Sequence, residues 1–187
     1  MRILSSALFA VLLCTGAAYA DDKPAVPAAV YDPIRWQAGV WDADIRFFDP
    51  ATGAQTGSAK GVQTNVLLSN GHWVTNDLQV FGNAEAQPSN ITFQGHGVWG
   101  WDPVARQYVD TWVDTNDGAV RTDFGFWQAE ARTMHWTALQ PDGAGHMVNY
   151  RMTEAYSGDN QRTLTFHQVA LQSGRLVKIA EMRFTRR

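Results

Sequence analysis

From Val40 onward the chain repeats one unit: a run of 7 to 12 residues in which apolar and polar side chains alternate, closed by a cluster rich in Gly, Pro, Asn or Asp. Period-two alternation is the mark of strands, whose successive side chains leave opposite faces of a sheet. The closing clusters are DPATG (49–53), SNG (69–71), GNAEAQPSN (82–90), DPVAR (102–106), TNDG (115–118), QAEAR (128–132), QPDGAG (140–145), SGDNQ (157–161) and QSGR (172–175). They predict ten strands, at 40–48, 56–67, 72–81, 91–101, 107–114, 119–127, 133–139, 146–156, 162–171 and 176–185. The one helical candidate is a short turn around Pro33 to Gln37.

Short connections make sequence neighbours antiparallel neighbours, and a sheet of this size removes its exposed edges by closing. The expected class is all-β, an antiparallel up-and-down β-barrel of about ten strands over residues 34–187. The alternation is not clean. In 176–185, Leu176, Lys178, Ala180, Met182 and Phe184 oppose Val177, Ile179, Glu181, Arg183 and Thr185, and neither set is purely apolar. A solid core would show one apolar face. Mixed faces imply a partly polar interior and an outer surface with apolar patches.

Composition refines this. Arg2, the apolar run Ile3 to Leu13 and Ala18-Tyr19-Ala20 have the form of a secretory signal peptide, residues 1–20. An extended leader, residues 21–33, follows it, and the expected location is periplasmic or secreted. Removing 20 residues from 187 leaves 167, enough for one domain with its own core. Cys14, the only cysteine, goes with the leader peptide, so the exported chain has no disulfide to rely on. It carries 14 basic and 18 acidic residues, a formal net charge of −4, which argues against nucleic acid as a partner. No segment is long and apolar enough for a membrane span.

All eight tryptophans lie in the exported part. In 107–114, Tyr108, Asp110, Trp112 and Asp114 share one face, so a lumen on that side would meet rings and carboxylates together. Trp41, Trp73, Trp99, Trp101, Phe124, Phe126, Trp127 and Trp136 extend the aromatic set. These rings either fill the barrel or stack on a ligand. His72, His96, His135, His146 and His167 form no short metal-binding spacing, and no zinc site is expected. His96 stands between Gly95 and Gly97, and glycine in a strand marks a bulge or a close approach. His167, facing the lumen, would be the ligand for haem or a proton acceptor. Asp77, Asp110, Asp114, Asp123, Glu154 and Glu181 are strand carboxylates that closure could bring together, but there is no GxSxG and no phosphate-cradling loop.

Gly39-Val40-Trp41, Gly100-Trp101-Asp102-Pro103 with Tyr108-Val109-x-Thr111-Trp112-x-Asp114, and Glu181-Met182-x-Phe184-Thr185-Arg186 resemble the bacterial family known as domain of unknown function 1579. The likeness spans most of residues 34–187 and is most specific in the middle hairpin. It implies a barrel with a cavity, similar to lipocalin-like and haem-binding nitrobindin barrels, and carries over no catalytic residue. The leading expectation is a binding protein for a small hydrophobic or aromatic molecule. Its site would comprise Trp99, Trp101, Tyr108, Trp112, Phe124 and Trp136, with Asp114 or His167 orienting the ligand. The alternatives are an isomerase or hydrolase using carboxylate or His acid–base chemistry, and a structural module forming a homodimer through its outer face.

Overall fold

A computed structural model describes residues 26–82, 90–116, 118–141, 146–170 and 173–187. The segment read as a signal peptide, with Cys14, and the start of the leader lie outside these residues. The described chain begins with a 3-10 turn, Ala28–Tyr31, and a short helix α1, Asp32–Gln37. Ten strands follow: β1 Gly39–Phe48, β2 Gln55–Leu67, β3 Trp73–Phe81, β4 Ile91–Asp102, β5 Gln107–Asp114, β6 Arg121–Gln128, β7 Thr133–Pro141, β8 Met147–Tyr156, β9 Gln161–Val169 and β10 Leu176–Arg186. Every predicted strand is present, with ends displaced by no more than two residues.

Each strand pairs antiparallel with its sequence neighbours, and β1 pairs with β10, from Trp41 opposite Arg186 to Phe47 opposite Ala180. The barrel is therefore closed, and no strand has a free edge. Proline near its start sets φ for the single turn of α1. The helix lays Ile34 and Gln37, both essentially inaccessible, across one end of the barrel, the end that carries the β2–β3, β4–β5, β6–β7 and β8–β9 turns. Tyr108 Oη donates to Val30 O at 2.8 Å, which holds the preceding 3-10 turn down. Residues 28–31, read as extended leader, are thus folded back as part of a plug.

The mixed faces resolve into a consistent inside and outside once one irregularity is counted. Lys178 pairs with His167 and Ala180 with Phe166, so Ile179 is an extra residue in β10. Such a bulge reverses the alternation. Below it Ala180, Met182 and Phe184 face inward; above it Lys178 turns outward to pair with Glu181 at 3.3 Å.

Two apolar clusters fill much of the interior. One gathers Ile34, Val74, Trp99, Tyr108, Met134, Trp136 and Met152 near the plug, and the other Trp41, Ala43, Ile45, Leu78, Val80 and Phe184 along β1, β3 and β10. Glycines on the lumen side seat the indoles. A Cβ on Gly95 would stand 2.0 Å from Trp112 Cζ2, and one on Gly97 2.8 Å from Trp112 Cε3. On Gly125 it would stand 2.5 Å from Trp136 Cε3. The close approach signalled by the glycines around His96 is thus that of an indole from the next strand; His96 itself is outside, with Nδ1 2.7 Å from Asp77 Oδ1.

Gly95→Ala should lower stability by about 1–3 kcal/mol, the usual cost of overpacking, and Trp112→Leu in the same chain should return most of it. Urea unfolding of the two single variants and the double variant measures this; additive losses would contradict the contact.

Candidate functional site

The apolar clusters leave a cavity of about 300 Å³ inside the barrel. Trp99, Trp112, Trp136, Phe93, Phe166 and Phe184 supply aromatic wall, and Leu78, Met152, Leu164 and Met182 supply aliphatic wall. Six charged residues also line it: Asp110, Asp114, Asp123, Glu154, Arg121 and Arg162. Burying charge is unfavourable unless it is paired, and the pairing divides these groups into three sets.

The first set forms the floor beside α1. Arg162, 2% exposed, donates through Nη1 to Glu154 Oε1 and through Nη2 to Gln63 Oε1. Its guanidinium lies 3.8 Å from the ring centre of Phe184 and 4.8 Å from that of Trp41, a cation–π geometry. Gln37 Nε2 donates to Glu154 Oε1 and to Tyr156 Oη, each at 2.6 Å. Asn65 Nδ2 donates to Gln37 O at 2.9 Å and to Gln37 Oε1 at 3.0 Å. With its amide turned so that the oxygen faces Trp99, Asn76 accepts from Trp99 Nε1 at 3.1 Å and donates to Asn65 Oδ1 at 3.0 Å. Burial, reinforced by Glu154, holds the Tyr156 hydroxyl well above its ordinary pKa, so this phenol stays neutral. One polar chain thus ties α1 to β2, β3, β4, β8 and β9.

The second set is a fork. Arg121 donates to Asp123 through Nε to Oδ1 at 2.8 Å and through Nη2 to Oδ2 at 2.9 Å. Its guanidinium lies between Trp112 and Phe166, 5.9 and 5.8 Å from the ring centres. Burial raises the Asp123 pKa despite the opposing pull of Arg121.

Asp110 and Asp114 remain. Asp114 Oδ2 accepts from Trp112 Nε1 at 2.9 Å, and its Oδ1 accepts from the Asn116 N–H at 2.9 Å, closing the turn after β5. Asp110 sits on β5 between Trp99 of β4 and Asp123 of β6 in the sheet register. Its Oδ1 is buried and has no hydrogen-bond partner. Burial is the main reason its pKa is pushed up to about 8; Asp123 and Glu154 add to the rise, and Arg121 and the Thr111 N–H oppose it. An apolar site that leaves a carboxyl uncompensated keeps it protonated near neutral pH.

Residues 31–186 match the family described as protein of unknown function DUF1579. The chain belongs to this family. No curated protein matches this DUF1579 chain. Among solved structures its barrel is similar to the S-type phycobiliprotein lyase CPES from Guillardia theta, with 7% identity and a TM-score of 0.51 over 82% of this chain and 90% of that one. A protein of unknown function of the DUF3598 family from Nostoc punctiforme PCC 73102 also aligns, at 8% identity and a TM-score of 0.26 over 84% of this chain and 99% of that one. At 7% identity the lyase likeness is one of fold.

Of the residues expected to bind a ligand, the DUF1579 barrel brings Trp99, Trp112, Asp114 and Trp136 to the lumen. Trp101 and Tyr108 point inward but pack at the plugged end with rings 5.0 Å apart, away from the cavity. Burial, helped by Asp32, pushes the Tyr108 hydroxyl up to about 12. Phe124 is a correction: it is 49% exposed on the outer face, because Asp123 and Gly125 beside it face inward in register with Asp110 and Tyr108. Phe124, Trp101 and Tyr108 instead border an open cleft with Trp36 and Trp127 beside α1. His167 is a second correction. It pairs with Lys178 on the outside, so it can neither orient a molecule in the lumen nor hold a haem there, and no histidine lines the cavity. Partial burial and Lys178 lower its pKa. Glu181 is likewise outside, paired with Lys178 and Arg183.

Asp110, Arg121, Asp123, Glu154, Arg162 and Gln37 were absent from the expected binding set. A signal for two of them existed: Arg162 alternates with Leu164 and Phe166, and Glu154 with Met152 and Tyr156, a charge on an otherwise apolar face in each case. Among the described residues no three His, Cys, Asp or Glu side chains come together as a metal site, and no helix is long and apolar enough to cross a membrane.

A carboxyl with a raised native pKa favours the folded state below its ordinary value of 3.8 and loses that contribution as pH climbs to about 8. Asp110→Asn should therefore become progressively more stable than the parent between pH 5 and pH 8, by up to roughly 1.4 kcal/mol per pH unit, with the difference levelling above that range. Urea unfolding at each pH measures it; a pH-independent difference would contradict the raised value.

Proposed function

We propose that this DUF1579 protein is a binding protein that encloses a small, largely apolar or aromatic molecule in the barrel lumen. The observation that carries the reading is a cavity of about 300 Å³, at the lower end of ordinary ligand pockets, whose aromatic wall is interrupted by a few fixed polar groups. Three indoles border it: Trp99 and Trp136, 5.5 Å apart and nearly perpendicular, and Trp112 beside Asp110 on β5. The likeness to a phycobiliprotein lyase supports the reading at the level of the barrel alone.

Acid–base catalysis would use Asp110, desolvated and opposite Asp123. Among the described residues, however, the cavity lining has no Ser, Thr, Cys, His, Lys or Tyr, so a nucleophile or partner base would have to be another carboxylate. Binding accounts for this lining with fewer parts. We place the protein outside the cytoplasm, in the periplasm or secreted, on the strength of the n-region, apolar run and Ala-x-Ala site at residues 2–20.

Two measurements test these statements. Intrinsic fluorescence should show a saturable shift or quench with at least one compound of a panel of lipids, quinones and simple aromatics, and Trp112→Phe should reduce the amplitude; a flat response to the whole panel rejects a lumenal ligand. Protein recovered from the periplasm or medium of an expressing bacterium should begin at Asp21; recovery only from the cytoplasm with Met1 intact rejects export.

A further inference from the structure

Charge in the lumen is unevenly matched. Four carboxylates and two guanidinium groups line the cavity. Arg121 is held in a two-bond fork by Asp123, and Arg162 is committed to Glu154 and Gln63. Asp110 and Asp114 form no ion pair among the described residues. Asp114 has two neutral donors. Among the described lining residues, Asp110 alone carries a buried carboxyl oxygen, Oδ1, with nothing bonded to it.

A buried polar atom without a partner in a folded protein marks either a cost or an absent partner. Here the surroundings define the partner. Gly97 lets the Asp110 carboxyl and the Trp112 ring lie close against β4: a Cβ there would stand 3.2 Å from Asp110 Oδ1 and 2.8 Å from Trp112 Cε3. Trp99, Trp112, Trp136 and Phe166 make up the nearby wall, and aromatic faces attract cations as well as rings. Among the described residues, no lining Lys and no uncommitted lining Arg supplies the charge from the protein side.

Taking the lumen as the binding site, we infer that its ligand is an arylalkyl amine, whose ammonium group pairs with Asp110 while its ring lies among Trp99, Trp112 and Trp136. The charged groups that act on Asp110 are Asp123 and Arg121 from β6 and Glu154 from β8; Arg162 of β9 and Asp114 of β5 also line the cavity, and β4 contributes Gly97 and Trp99 and no charge. The empty site holds Asp110 protonated at neutral pH. On binding, the amine arrives as its ammonium ion, the carboxyl O–H gives its proton to solvent, and the complex contains one ammonium and one carboxylate. Binding therefore releases one proton below about pH 8 and none above it.

Phenethylamine and its uncharged near-isostere propylbenzene are the probes. In calorimetric titrations of the purified protein at pH 7, the amine should bind at least about ten-fold more tightly than propylbenzene. Heats in phosphate and in Tris should differ by the ionisation of close to one released proton, and affinity should rise about ten-fold per unit from pH 6 to pH 8. Asp110→Asn should abolish the amine's advantage and the proton release while leaving propylbenzene binding within about two-fold. Propylbenzene bound as tightly as the amine, or amine binding unchanged in the variant, overturns the inference and leaves the lumenal site standing. Failure of both probes together with a flat fluorescence panel takes the lumenal site and the inference down together.

Discussion

Arg162 lies at the floor of the lumen with its guanidinium bonded to Glu154 and Gln63 and its face over Phe184 and Trp41. A lone charge in that position would be untenable; removing one partner of a buried pair typically costs about 3–5 kcal/mol. Its demand for partners draws in Glu154, through it Gln37, and through Gln37 the helix that plugs one end of the barrel. Closure of the sheet and closure of its end are thereby coupled: β8, β9 and β2 must stand around the same cation for α1 to seat. Arg186 repeats the arrangement at the rim, donating to the carbonyls of Trp36 and Ala38 and lying 4.2 Å from the ring centre of Trp41.

A polar floor also explains why the interior is hollow. Side chains that must keep hydrogen bonds in fixed directions cannot collapse into neighbouring space as aliphatic groups do. Above the floor the walls are indoles set into glycine-made recesses, so Trp112 and Trp136 lie back against β4 and β6 instead of filling the centre. The Asp110 carboxyl lines the same cavity, and its Oδ1 has no hydrogen-bond partner. Function, on this view, lies in what the packing does not complete.

The outer wall shows the opposite economy. Phe124, Phe126 and Leu139 are exposed on β6 and β7, and His135 stacks on Phe126 with ring centres 4.7 Å apart. Aromatic content therefore does not distinguish lumen from surface in this chain. Only strand register does, and a one-residue difference sends Asp123 inward and Phe124 outward.

Strand number, antiparallel order and closure were all legible in the amino-acid sequence, because each depends on local alternation and on short turn clusters that leave little choice of neighbour. The inward set Tyr108, Asp110, Trp112 and Asp114 was equally legible as a shared face, though not which side of the sheet it would occupy. What the tertiary structure decided was pairing. The bulge at Ile179 reversed the alternation in β10 and put Lys178 outside, opposite His167, which β9's own alternation after Phe166 already turns outward. Residues distant in sequence, such as Gln37 and Glu154, met only when the sheet closed. Whether a buried carboxyl is matched or left alone depends on every neighbour across the barrel at once, and no local pattern encodes that.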